Sequence, residues 1–173
     1  MHEVIRHEDT SLSEPGPGDT LMQELVTKLE LASDRARREA VAAMIEQLVP
    51  ILGVGVARWV SSLVRAFIGL LAFSPPPSVF RTLSSLMRMV PECVAREVDD
   101  LLPALVKFVY QTSWREETGP TPGASLSLAS CCILELATCD PEAARLLCHD
   151  LETLPAVNQT FDTLVTEMLS VVS

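Results

Sequence analysis

The chain predicts an all-helical fold, on three observations. Between Ala36 and Phe73 the apolar residues Val41, Ile45, Leu48, Leu52, Trp59, Leu63 and Phe67 recur mostly at three- and four-residue intervals, the period of a buried helix face. Hydrophobic residues make up 48% of the 173 positions but aromatics only 5%, and Leu, Val and Ala supply most of the rest, which favours helix on helix over packed sheets. Prolines and glycines break the pattern repeatedly, often beside a residue able to cap a helix.

Taken in order, residues 1–18 read as a flexible acidic tail ending in Pro15-Gly16-Pro17-Gly18, and residues 19–173 as a helical domain. Asp19 or Thr20 caps a first helix whose apolar face is Leu21, Met22, Leu25, Val26 and Leu29. Ser33 and Asp34 offer a cap for a second helix, from Arg35 to Val49. Pro50, Gly53 and Gly55 interrupt it before a third, from Val56 to Phe73. Ser74-Pro75-Pro76-Pro77 ends that helix, and Ser78 caps a fourth carrying Val79, Leu83, Leu86 and Val90. After Pro91 comes a short turn or helix through Val94. Asp99 and Asp100 then provide a cap and first-turn acids for Leu101–Trp114. Arg115 to Gly123 is the longest interior loop. Ala124–Thr138, Pro141–His149 and a final helix from Leu154 or Pro155 to Val172 complete the series.

Prolines 50, 103 and 155 sit in Leu-Val-Pro-Ile-Leu, Leu-Leu-Pro-Ala-Leu and Thr-Leu-Pro-Ala-Val, at intervals of 53 and 52 residues. With Leu102–Leu105 and Leu154–Val157 as helix starts, and Cys139-Asp140-Pro141-Glu142 joining two short helices, the chain resembles the armadillo and HEAT superfamily over residues 20–172. What the resemblance implies is a right-handed superhelix of seven to nine helices that binds protein partners along a groove. The spacing exceeds either family's usual unit, and a compact helical bundle is the alternative.

The formal net charge is −10, from 23 acidic and 13 basic side chains, which disfavours nucleic acid as a partner. The balance is uneven: residues 35–115 hold ten Arg or Lys against six acids, and residues 135–173 hold seven acids against one base. Five cysteines, an odd number without Cys-x-x-Cys spacing, and a polar Met1–Gly18 lacking an apolar central region predict a cytoplasmic or nuclear protein. Arg58 and Arg65 inside the most apolar run argue against transmembrane insertion.

Catalytic signatures are not apparent. The histidines are His2, His7 and His149, Cys131, Cys132 and Cys139 lack partners at metal-ligand spacing, and Gly53-Val54-Gly55 lacks the rest of a phosphate loop. Cys148 and His149, being adjacent on a helix, diverge by about 100°. Asn158-Gln159-Thr160 matches the glycosylation triplet in letters, without a secretory signal to give it meaning. The expectation is a non-enzymatic scaffold or adaptor subunit, without cofactor, metal or small-molecule substrate, in an oligomer or obligate hetero-complex. The alternative is a compact helical regulator that binds an amphipathic helix or a membrane surface. Candidate contact residues are Arg58 with Arg65 and Arg81 with Arg88, each pair seven residues apart, together with Trp59 and Trp114. Such arginines would grip an acidic partner segment, and tryptophan commonly anchors interfaces. The plain alternative is that the arginines face water or the chain's own acids, and that Trp114 folds back over the domain.

Overall fold

A computed structural model describes residues 16–116, 124–153 and 158–173. Helix α1 (Pro17–Leu31) starts earlier than its capping pattern suggests. Pro17 occupies the first turn, and the Asp19 carboxylate accepts a hydrogen bond from the Gly16 N–H at 3.1 Å. Gly18 lets α1 lie close against the next helix, since a Cβ there would stand 2.5 Å from Leu52 Cδ2. Helix α2 (Arg35–Leu52) is capped as expected, the Asp34 carboxylate accepting from the Arg37 N–H at 2.8 Å. It runs through Pro50 to Gly53, whose φ of 57° suits glycine and ends the helix. A 3-10 segment (Gly53–Trp59) then leads into α3 (Val60–Leu71), so the break at Pro50–Gly55 extends further than expected and the helix expected over Val56–Phe73 is shorter at both ends.

Ser74, at φ 53°, turns the chain into the prolines that open α4 (Pro77–Met89), and α5 (Pro91–Ala95) follows at once. Helix α6 (Val98–Glu116) has Asp99 and Asp100 in its first turn, complementing the positive end of the helix. Helices α7 (Ala124–Cys139), α8 (Pro141–Leu151) and α9 (Gln159–Val172) finish the domain. The Asp140 and Asn158 side chains cap α8 and α9.

Helices α1, α3 and α6 pack side by side, as do α2, α4 and α7, and the two sets meet through α1–α2 and α6–α7. Helix α9 crosses α7 and α8 and also reaches α6. One continuous core runs from Met22 to Val172, with Phe67, Phe80 and Phe161 among its fully buried side chains. The Phe80 ring lies 5.4 Å from that of Phe108 on α6, joining the two sets.

This arrangement corrects the right-handed superhelix and the armadillo/HEAT assignment that the spacing suggested. In an open solenoid each repeat touches only its neighbours. Here α7 alone packs against α4, α5, α6, α8 and α9, and α6 against α3, α7, α8 and α9, so the chain closes into a compact helical bundle. The proline spacing does not mark equivalent positions. Pro50 lies in the last turn of α2, whereas Pro103 lies six residues into α6, so Leu102–Leu105 is not a helix start. The window around Pro155 falls outside the described residues, as do residues 1–15 of the tail and 117–123 of the long loop.

By length and composition alone, Arg35–Leu71 is apolar enough to cross a bilayer. In the fold its α2 and α3 portions place Ala42, Ile45, Leu48, Val49, Leu63 and Phe67 in the shared core.

Candidate functional site

The six residues singled out from sequence divide between two kinds of environment. Arg58 and Trp59 are drawn into a fastening between the 3-10 segment and the start of α1. The Trp59 indole N–H donates to Asp19 Oδ1 at 2.8 Å, and the Arg58 guanidinium lies 3.2 Å from Asp19 Oδ2. The Trp59 hydrogen bond, assisted by the Gly16 N–H and by Arg58, holds the Asp19 carboxyl below the usual aspartate range against the opposing effect of burial. Arg81 reaches from α4 to Glu46 on α2 with two hydrogen bonds, at 2.7 and 3.3 Å, a planar fork on a carboxylate. Arg88 faces solvent in the last turn of α4. Trp114 is 40% exposed and stands edge-on to Tyr110 at 6.2 Å, partly folded back on α6. The four arginines do not form one ridge. Arg58 and Arg65 lie on the α1–α3–α6 side, Arg81 and Arg88 on the α2–α4–α7 side, because their helices have different neighbours.

Arg65 is the one placed at a concavity. A groove of about 290 Å³ runs between the end of α1 and the end of α3, with apolar walls from Leu29, Ala32, Ala66, Leu70 and Phe73. Arg38 and Arg65 supply its cations and Glu30 its one acid. The Arg38 guanidinium sits 5.8 Å over the Phe73 ring, so a cation and an aromatic face are presented together. Phe73 is 63% exposed, far more than any other phenylalanine of the described core. Gly69 forms part of the groove's lining, and a Cβ there would meet nothing within 4 Å. On the other flank of α3 Arg65 also borders a second groove, of about 320 Å³, with Ser61, Val64, Ile68, Glu97 and Asp100. There the Ser61 hydroxyl donates to the Glu97 carboxylate. Of the groove's residues the sequence pointed to Arg65, and to Arg38 as part of the basic start of α2, but not to Gly69 or Phe73 as contact residues. Arg65 and Gly69 lie four residues apart on one face of α3, and Phe73 follows just past its end.

A larger groove between α7 and α9, about 460 Å³, has Leu126 and Leu164 in its walls among the polar side chains of Ser127, Ser130, Thr163 and Glu167, and carries no cation. Among the described residues no three His, Cys, Asp or Glu side chains converge as metal ligands, and every buried side-chain nitrogen or oxygen has a hydrogen-bond partner. His2 and His7 lie outside the described residues.

All five cysteines are free thiols. Burial pushes the Cys132 thiol up to about 11, against the lowering effect of its contact with Ser84, and burial also raises Cys139 and Cys148. At pH 8 Cys132 is therefore thiolate only to about one part in a thousand. Cys131, on the exposed side of the same helix, is expected to react first with an aromatic disulfide reagent. Cys132 and Cys148 should react only on unfolding, as peptide mapping of the labelled protein would show; early labelling of Cys132 would contradict the packing of α7 on α4.

Comparison with known proteins yields no relative: no family model, no curated protein and no solved structure matches the chain.

Proposed function

We propose that this domain is a non-enzymatic regulator or adaptor that binds an amphipathic helix of a partner protein in the α1–α3 groove. The structure establishes the coarser frame, a small all-helical domain with a largely buried core. The observation that carries the finer proposal is the conjunction at one groove of apolar walls, an exposed aromatic ring, two guanidiniums and a glycine without neighbours. A helix laid in such a groove inserts one apolar anchor beside Phe73. It places an acidic side chain, one turn away, within reach of Arg38 or Arg65. The open space over Gly69 lets the partner's backbone come closer than any other residue type would allow. The packing of α7 against α4, α5, α6, α8 and α9 favours this proposal over a solenoid-type scaffold.

The test uses a synthetic amphipathic helix of Leu, Ala and Glu, and the same peptide with Lys for Glu, titrated by fluorescence anisotropy. The acidic peptide is expected to bind, and Arg65→Glu or Gly69→Gln to weaken it about tenfold or more while leaving the circular dichroism melt within a few degrees. Equal binding of the Lys peptide, indifference to both substitutions, or partition of the protein into neutral lipid vesicles in place of peptide binding would each overturn the proposal.

A further inference from the structure

Helix α2 presents a second surface, on the opposite side from Arg38. Ala36, Ala40, Met44, Gln47 and Ile51 follow one another at three- and four-residue steps along its outward face, about 22 Å in length. Met44 is 51% exposed and Ile51 79%. Of the eighteen residues between Glu39 and Arg58 only Glu46 is charged, and it is held by Arg81. A water-facing helix usually carries charges on that face.

We propose that this face pairs with the same face of a second copy of the chain, the two α2 helices running antiparallel about a two-fold axis beside Met44. Two features of the stripe select this occupant. The first is shape. The stripe is small at its beginning, with Ala36 and Ala40, and large at its end, with Met44 and Ile51. Antiparallel pairing seats Ile51 of each copy over Ala36 and Ala40 of the other, whereas parallel pairing would set alanine against alanine and leave a void.

The second is charge. Arg35 and Arg37 occupy the first turn of α2, where the positive helix end disfavours them; they pair with Glu39 and Asp34 at 2.7 and 3.4 Å, but their side chains stay 76% and 77% exposed, so these pairs are loose and solvated. In the antiparallel pair these guanidiniums lie beside the carbonyl end of the other copy's α2, where cations are favoured, and that end carries no acidic or basic side chain in its last turn. One helix pair is a small interface, so the association is weak and varies with concentration.

Sedimentation equilibrium of the full chain, from low micromolar to near-millimolar, should show a monomer passing to a dimer. Ile51→Asp, at an exposed site, should keep the chain monomeric throughout with a melt lowered by no more than a few degrees, and Ala40→Leu, which fills the seat for Ile51, should weaken the dimer. In a Cys131→Ser background, mixed Ala40→Cys and Ile51→Cys chains should cross-link to each other. Cross-linking of Ala40→Cys to itself, a monomer at every concentration, or a dimer untouched by Ile51→Asp would overturn the proposal. So would a monomer whose Met44–Ile51 face takes up the acidic peptide. Peptide binding at the α1–α3 groove is expected to survive Ile51→Asp, so failure of either proposal is distinguishable from failure of the other.

Discussion

Phe80→Ala is expected to destabilise the domain by about 3–5 kcal/mol, read as a fall in the urea midpoint at constant m. The side chain is fully buried on α4, its ring meets Phe108 of α6, and its own carbonyl accepts a hydrogen bond from the Cys132 thiol at 3.2 Å. Truncation removes the apolar contacts and leaves a cavity at the junction between the two sets of helices, where α2, α4 and α7 cannot close in together without breaking other contacts. The informative comparison is Phe73→Ala, the same chemistry at a ring that is mostly in water. There the stability change should stay within about 1 kcal/mol while affinity for the acidic peptide falls. If Phe80→Ala proved as mild as Phe73→Ala, Phe80 would not be the bridge between the helix sets described above.

Asn158→Ala has the next largest expected effect. Asn158 is buried and performs two tasks at once. Its Oδ1 accepts the Phe161 N–H at 2.9 Å, capping α9, and its Nδ2 donates to the Ser113 hydroxyl at 2.7 Å, which in turn donates to the Tyr110 carbonyl. Loss of the cap costs about 1 kcal/mol. The Ser113 oxygen, left in a buried site without its donor, adds about 1–2 kcal/mol. Thermal unfolding should therefore fall by several degrees, while Gln159→Ala, one residue along and exposed, should leave it nearly unchanged. Equal effects of the two substitutions would show that the network is not maintained in solution.

Asn158 also shows where sequence stops being legible. Its triplet reads as a glycosylation acceptor, and nothing local reveals that its side chain is turned inward to Ser113, 45 residues earlier. What could be read were features set within one turn of a helix. Asp34 capping α2, the acids opening α6 and the apolar faces of α1 and α4 all follow from spacings of three and four. With Asp19 or Thr20 as its cap, the start of α1 was placed three or four residues late, because Pro17 and Gly18 read as breakers. Proline is in fact well suited to a first turn, and Gly18 leaves room for the end of the Leu52 side chain. Arg58 and Trp59 have the composition of an interface, but their partner is Asp19, some forty residues away, which no local pattern discloses. The closed bundle was the hardest feature to see, because even spacing of prolines says nothing about which helices meet.

Gly69 has a consequence for anyone who evolves or redesigns this domain. An alanine in its place meets no neighbouring atom and would strengthen α3 by about 0.5–1 kcal/mol, since glycine is costly inside a helix. A screen that rewards thermal resistance alone would find that substitution early. Larger residues with good helix propensity would follow it, each extending further into the space between α1 and α3. Selection for robustness and selection for recognition therefore act in opposite directions at this one position. Libraries meant to harden the domain are best built with residue 69 held as glycine.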